Sequence, residues 1–586
     1  MKPAVPGRWR LEAAFAAVVV ALVGLACAQA TLVHSGKENA EARIRVQQTM
    51  TVPLPGRPGT ILARQRTRYA TVASSHLVGG VYVDARMIDE SQSDEVAIGI
   101  GKAVGLSAQD RMYFVPAVQD KILRRRDSGY VRVIKAADEQ QIQNVQRLKM
   151  PSVGIDYHWQ REYPNGSLAA AVLGFRRPNG EPGGGAELFF RQSLQPTDGE
   201  KVMQTDARRR AIWLDASRSS PPRDGYNVFL SIDLSMQAIM EKALAEAVET
   251  YGAKWGSGLI VDPWTGQVLA MASVPTFDPS SYQNASDDSR INRCISMPVE
   301  MGSAIKPLFA AAAVEQGLVN YQTLINCEDG HYRAPRGGTI TDHGQSYQML
   351  SVSDIIKHSS NIGMAKIGEM MGNRRLFEWA TAFGLADRTG IPLPGESGGI
   401  VRPLRKWDGY STRRVPFGQE ISTTPLQLAM AFSALSNGGL LLEPQLVDYI
   451  ARPDGTVIHR GRPKVVRRVI SPATAAATVQ AMRGVVEAGT AKEYPLDGWT
   501  SFGKTGTAQI PGRTGYQEGA YVASYIAGAP ADRPRVVCLI SVYWPDPAKG
   551  YYGGKVAAPY VRQVLEQTLA YLNVPPDAPA AVLVAR

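Results

Sequence analysis

Twenty-one consecutive uncharged residues, Ala13 to Val33, restrict this chain more than any other stretch of it. A run of that length can cross the hydrocarbon core of a bilayer, where only a helix satisfies its own backbone polar groups. Lys2, Arg8 and Arg10 precede it. Positive charge before a span holds that end in the cytoplasm and sends the following chain outside. Ala28-Gln-Ala30 also has the small-residue pattern of a cleavage site, so the run reads alternatively as a signal peptide. Its length exceeds an ordinary signal core, which favours a retained anchor, and both readings export the remainder.

With 586 residues, 44% of them hydrophobic and 20% charged, the chain has material for two to three globular domains. The net charge of +11 is spread out, with small knots at Arg124–Arg126 and Arg208–Arg210. It reads as attraction to an anionic surface or polymer, or as solubility. No basic helix or aromatic-basic array accompanies it, so a nucleic-acid partner is not expected. The four cysteines (Cys27, Cys294, Cys327, Cys538) form no CxxC, there is no HExxH, and the seven histidines are scattered, so neither a metal nor a cofactor is expected. Cys294 and Cys327 can pair across a loop, a question that spacing leaves open. Cys538, in a Val/Leu run, reads as an inert core thiol.

Residues 34–225 lack long amphipathic periodicity; short β-rich stretches such as Val81–Asp84 alternate with turns at Tyr163–Gly166 and Pro182–Gly185. Pro221–Gly225 reads as a boundary. Beyond it come a strand over Asn227–Asp233 and a helix over 234–251 closed by Gly252. A hairpin joins Gly258–Asp262 to Gln267–Ala272, two strands lie in Val522–Ile526 and Arg535–Val542, and a last helix covers Ala558–Leu572. This order predicts an α+β domain on an antiparallel sheet with helices in the middle. The expected division is a tail (1–12), a membrane anchor (13–33), an extended mixed module (34–225), a second domain (226–573) and a tail (574–586).

Three short strings carry the chemistry: Ser303-Ala-Ile-Lys306, Ser359-Ser-Asn361 and Lys504-Thr-Gly-Thr507. Ser303 opens an alanine-rich helix ending at Gly317, and Lys306 lies one turn on, beside it. Pro307 would leave the Ser303 carbonyl without its usual donor. A serine attacks a carbonyl only when a base takes its proton, and a lysine is that base only when neutral. Burial, a helix N-terminus and a second cation, Lys504, all lower its pKa. Ser359 and Asn361 fall between two short helices, the second closing at Gly372, where a hydroxyl can relay a proton and an amide can hold a substrate backbone. As isolated strings they would be only helix caps. On a strand, Lys504 and Gly506 face one way and Thr505 and Thr507 the other, and Gly506 lets a ligand approach the backbone. The charge and hydroxyls suit a carboxylate, with the amides of Thr507 and Ser303 as an oxyanion hole. Gly498–Thr505 also fits the phosphate-loop pattern GxxxxGK[ST], but no apolar strand precedes it and Gly506, Pro511, Gly512 and Gly515 forbid a helix after it.

In these motifs the chain resembles the class B penicillin-binding proteins, particularly their division-type, penicillin-binding-protein-3-like branch. Phe277–Pro279, Asn292-Arg293, Thr424–Leu428, Asn437–Gly439, Lys504–Gln509 and Tyr552–Gly554 through Ala557–Pro559 look like further family landmarks. Tyr163-Pro, Leu173–Phe175 and Glu187-Leu188 resemble those of its non-catalytic module. The resemblance implies the penicillin-binding/β-lactamase-like fold. It also implies a D,D-transpeptidase acylated at Ser303 by peptidoglycan stem peptides or β-lactams. Lys306 would then be the base, Ser359 the relay and Asn361 a substrate ligand, with Lys504, Thr505, Gly506 and Thr507 on the substrate carboxylate. It further implies a membrane glycan polymerase and divisome proteins as partners, and an inner-membrane location with the catalytic domain outside. Elongation-type transpeptidase and carboxypeptidase are the alternatives, followed by a β-lactam sensor or scaffold and a serine β-lactamase. Class A β-lactamases need a water-activating glutamate; the nearest string, Glu493–Asp497, has Asp for Asn and lies just before Lys504. Met301 and Ala304 depart from the usual Pro and Thr/Ser around the nucleophile. In Arg57–Arg64, Ala63 stands where an Asp is usual, which bears on the module's internal contacts.

Overall fold

The computed structural model describes residues 7–177, 179–206, 211–335, 338–512 and 515–578. Lys2, the Arg208–Arg210 knot and the end of the C-terminal tail lie outside the described residues. The chain separates into two compact units, residues 1–57 with 196–224, and residues 58–195 with 225–586. The first unit holds the helix α1 (Arg8–Gln48) and a three-stranded sheet of Thr49–Leu54, Gly199–Thr205 and Ala211–Leu214. Within α1, Arg8–His34 is long and apolar enough to span a membrane.

The second unit is built on two large sheets, with four two-stranded sheets beside them among the described residues. The first is five-stranded and antiparallel, formed by β1 (Trp255–Val261), β2 (Val268–Val274), β3 (Phe502–Pro511), β4 (Tyr516–Ala529) and β5 (Val536–Tyr543) in the order β2-β1-β5-β4-β3. Every residue of β1 is buried, although Gly256, Ser257 and Gly258 interrupt its apolar pattern. On the sheet pack α2 (Leu234–Thr250), capped by the Asp233 carboxylate accepting from the amides of Ser235 and Met236, and α8 (Ala558–Tyr571). Between them in sequence come α3 (Lys306–Glu315), α4 (Val352–His358), α5 (Asn361–Ala382), α6 (Pro425–Ser436) and α7 (Pro472–Glu487). All of α6 is buried, behind a Thr424/Gln427 capping box. The predicted strands, hairpin and terminal helices are all present, but the strand expected over Val522–Ile526 runs from Tyr516 to Ala529 and the hairpin's first strand starts at Trp255 rather than Gly258. Gly372 does not end α5; it kinks the helix at φ +76°, and the helix resumes to Ala382.

The second sheet runs across the expected boundary at residue 225. Ile61–Gln65 pairs in parallel with Asn227–Asp233, which pairs with Val447–Ala451, while Arg68–Val83 carries Val131–Ala137 and Val153–Glu162. The module is also more helical than its pattern indicates, with helices at Ser93–Ala103, Ala108–Arg124 and Glu139–Arg147. Ala108–Arg124 buries only Val118 and Ile122 and contains Pro116, so its apolar stripe is too narrow to read. Cys294, Cys327 and Cys538 are free and buried, so the Cys294–Cys327 pairing is not formed.

Two charge clusters hold the second unit. Arg64 donates to both carboxylate oxygens of Asp448 at 2.5 Å, and Tyr69 and Gln267 donate to the same carboxylate. The arginine of the altered Arg57–Arg64 segment is therefore engaged, and Ala63 sits in the apolar core at 1% exposure. Glu187, fully buried, accepts from Arg161 and Arg176 at 2.6 Å each and from Tyr163. Removing one member of a buried ion cluster leaves uncompensated charge. Glu187→Ala should therefore cost about 3–5 kcal/mol, read as a lowered unfolding temperature by scanning fluorimetry; a variant that melts with the wild type would show that water compensates the two arginines.

Candidate active site

Ser303 lies in a single 3₁₀ turn, Gly302–Ile305, that leads into α3. The tighter turn solves the problem raised by Pro307: the Lys306 amide donates to the Ser303 carbonyl, three residues back. Three glycines let other backbone press on this turn. Gly302 has φ +52°, Gly418 has φ +91°, and a Cβ on Gly418 would fall 2.0 Å from the Gly302 carbonyl oxygen. A Cβ on Gly506 would fall 2.4 Å from the Met301 carbonyl oxygen and 3.0 Å from Ala304 Cβ. The missing side chain of Gly506 thus admits the protein's own Gly302–Ile305 turn on that side of the strand. The two departures around Ser303 fit the same packing, since Ala304 is fully buried against Gly506 and Met301 lies under the hydroxyls of Ser524 and Ser541.

The second string reverses the chain between α4 and α5. Ser359 adopts the left-handed region at φ +61°, and Ser360 caps α5 by accepting from the Gly363 amide. This geometry turns both the carbonyl and the hydroxyl of Ser359 toward two lysines. Lys306 Nζ donates to the Ser359 carbonyl at 2.5 Å and to Asn361 Oδ1 at 2.8 Å, and lies 3.3 Å from Ser359 Oγ. Lys504 Nζ donates to the same Oγ at 2.9 Å and to the Thr505 carbonyl at 3.1 Å. Both lysines are fully buried. Burial pushes the Lys306 ammonium down to about 7, with the Asp342 carboxylate pulling the other way. Burial, and then the neighbouring Lys306, hold Lys504 well below the ordinary lysine range.

A cavity of about 620 Å³ opens over the strings and is lined by Ser303, Ser359, Asn361, Thr505 and Thr507. The structure therefore brings all three strings to one site but divides them. The hydroxyls and the amide line the cavity, whereas Lys306, Lys504 and Gly506 form its back. Ser303 Oγ has no hydrogen-bond partner among the described residues, and the Lys306 head group is bound to Ser359 and Asn361 instead. Lys504 meets Ser359 and is not in the cavity lining, while Thr505 and Thr507 present hydroxyls there. Thr507 Oγ1 accepts from the Gly553 amide, and Thr505 Oγ1 meets Thr490 Oγ1 at 2.8 Å. Among the described residues Lys504 is followed by the rest of β3 and then by β4, not by the helix that the phosphate-loop reading requires.

Several neighbours have no counterpart in the sequence reading. Tyr521, Tyr551 and Tyr552 stack in series along one wall, with centroids 4.3 Å and 4.4 Å apart. Glu300 accepts from the Glu420 amide at 2.9 Å and the Tyr516 hydroxyl at 3.0 Å, and burial pushes its carboxyl up to about 7. Tyr552 belongs to a segment already singled out, but nothing local marks Glu300 or Thr490. No carboxylate lines the cavity among the described residues. Glu493 is exposed, and Asp497 pairs with Arg562.

Residues 256–566 match the family model for the penicillin-binding protein transpeptidase domain. The chain belongs to the penicillin-binding protein transpeptidase family. It is 33% identical to the penicillin-binding protein PbpB of Mycolicibacterium smegmatis over 77% of this chain and 71% of that one. It is 28% identical to the peptidoglycan D,D-transpeptidase FtsI of Escherichia coli over 92% and 87%. Penicillin-binding protein 3 of Mycobacterium tuberculosis, solved in complex with aztreonam, superposes with a TM-score of 0.69 at 25% identity, covering 90% of this chain and 99% of that one. These relatives place the family member in class B, with the division-type proteins. The close approach of Gly506 to the Gly302–Ile305 turn is directly testable. Gly506→Ala should cost about 1–3 kcal/mol of stability through overpacking and slow labelling of Ser303 by a fluorescent penicillin. Unchanged labelling kinetics would show that the turn yields without moving the hydroxyl.

Proposed function

We propose that this chain is a membrane-anchored peptidoglycan D,D-transpeptidase of septal wall synthesis that works through an acyl-enzyme on Ser303. The observation that carries the reading is a free serine hydroxyl at a cavity whose back wall holds two buried lysines joined at one serine. Ser303 Oγ attacks the carbonyl carbon of the D-Ala-D-Ala bond, and neutral Lys306 takes its proton after turning from Ser359 toward it. The amides of Ser303 and Thr507 receive the oxyanion. Ser359 passes the proton to the departing D-Ala amine, with Lys504 holding the relay hydroxyl as a donor to it. Asn361 binds the stem-peptide backbone, and Thr505 and Thr507 take the terminal carboxylate, with Gly506 keeping β3 against the turn. The amine of a second stem peptide then attacks the ester, forms the cross-link and frees Ser303. β-Lactams acylate the same oxygen. The absence of a cavity carboxylate among the described residues favours an acyl-enzyme that waits for an amine over one that is hydrolysed.

In this reading residues 13–33 anchor the chain with its N-terminus in the cytoplasm. Residues 34–225 serve as a pedestal and 226–573 as the transpeptidase domain on the outer side. A membrane glycan polymerase and divisome proteins supply and place the substrate strands.

Mass mapping after fluorescent-penicillin labelling should find the adduct on Ser303 and none in Ser303→Ala; an adduct elsewhere overturns the site. Because the folded pKa of Lys306 lies near 7, below its unfolded value, the neutral base is present above that pH and lost as pH falls through it. The acylation rate should therefore rise through about pH 7. A rate flat from about pH 5 to 9 would remove Lys306 from the role of base.

A further inference from the structure

Asp342 follows the short strand Thr339–Thr341, which pairs with His331–Arg333, and it stands behind the Ser359–Asn361 string rather than in the cavity. One carboxylate oxygen accepts from the amides of Asn361 and Ile362, at 2.5 Å and 3.0 Å. The other accepts from the Ser360 hydroxyl at 2.6 Å. These amides are in the first turn of α5, where unpaired N–H groups and the helix dipole favour a negative charge. The residue before it completes the grip, because the Thr341 carbonyl accepts from Asn361 Nδ2 at 3.0 Å. With its NH₂ end held there, Asn361 can present only Oδ1 to Lys306, which it meets at 2.8 Å. Asp342 is itself tied down, its amide donating to the Gly330 carbonyl.

We infer that Asp342 is a positioning residue for acyl transfer: it fixes the start of α5, and through Asn361 it sets both the place and the charge state of Lys306. This rests on the reading of Ser303 and Lys306 given above. Two effects follow from one carboxylate. Mechanically, it holds the amide that holds the lysine. Electrostatically, its negative charge favours the ammonium form of Lys306, against the burial that favours the amine. The titratable groups around Lys306 are Lys504 from β3 and Asp342 itself. Cys327 lies behind Ser360, and His343 and His358 line the cavity. Asp342 is the carboxylate among these groups, so its replacement moves Lys306 in one direction.

The test uses the full-length chain in detergent and the second-order rate of labelling by a fluorescent penicillin across about pH 5 to 9. Asp342→Asn keeps an acceptor for the two amides and an NH₂ group for the Ser360 hydroxyl, but removes the charge. Lys306 then deprotonates at lower pH, and the acid limb moves down. The ratio of the rate at pH 6 to that at pH 8 should rise about threefold over wild type. Asp342→Ala also releases α5 and Asn361, and its rate on the alkaline plateau should fall about tenfold or more. A purely structural role lowers the plateau and the melting temperature without moving the limb. If Asp342→Ala does not fold, the limb of Asp342→Asn decides alone. A wild type labelled at Ser303 with an unmoved limb in Asp342→Asn overturns this inference and leaves the function standing. A wild type not labelled at Ser303 overturns the function and this inference with it.

Discussion

Two lysines from distant parts of the chain end within hydrogen-bond reach of one serine hydroxyl, and the rest of the site is arranged around that meeting. Two unit charges about 5 Å apart repel by about 3 kcal/mol even at an effective dielectric near 20. Full burial penalises each charge separately. Both effects work against two ammonium groups side by side, and both lysines are held below the ordinary lysine range. The fold makes this tolerable by supplying acceptors for the head groups: the Ser359 carbonyl, Asn361 Oδ1 and the Thr505 carbonyl. Two of the three come from the turn at Ser359–Asn361. The left-handed backbone at Ser359, uncommon for a residue with a Cβ, is the geometric condition for presenting a carbonyl and a hydroxyl of one residue to the same neighbour.

That meeting needs the three segments to approach more closely than side chains allow, and glycine supplies the clearance. β3 lies on the Ser303 turn through Gly506, and the Gly418 turn presses on it from Gly302. These are backbone-to-backbone contacts, so they fix position more firmly than interdigitated side chains, which repack. Glu300 extends the clamp: three residues before Ser303, it accepts from the Glu420 amide and from Tyr516 at the start of β4. The position of Ser303 is therefore set by elements on both sides of it, while its hydroxyl stays free to face the cavity.

What the sequence made legible follows from locality. The strands of the five-stranded sheet, the helix α2, and the hairpin of β1 and β2 are written in short apolar runs, in a period of 3.6 and in turn residues that act over a few positions. The three strings were legible because each is contiguous. Their division between cavity and back wall was not, since a strand's alternation says that Lys504 and Thr505 face opposite ways but not which side is the cavity. The meaning of Gly506 was missed for the same reason: an absent side chain does not name what fills its place. Asp342 and Glu300 were illegible because their partners are backbone amides of other segments. The sheet that joins Ile61–Gln65 to Asn227–Asp233 was hidden by a parallel, long-range pairing with no local signature.

The placement of carboxylates gives the site a direction. Asp342 touches the string from behind, Glu300 lies just before the Ser303 turn, and none lines the cavity among the described residues. A carboxylate in the cavity would do two opposing things. It would stabilise the ammonium form of Lys306, and it would offer a general base to any water that entered the site. Set behind Asn361, Asp342 exerts the first effect through the protein and is denied the second by position. Charge can thus tune Lys306 without opening a route to hydrolysis. The hydroxyls of Thr505, Thr507 and Ser359, which face the cavity, orient a bound group while remaining poor bases for water. An ester formed on Ser303 would meet hydroxyls, an amide and an aromatic wall, and its rapid release would depend on an incoming nucleophile that brings its own basicity, as an amine does.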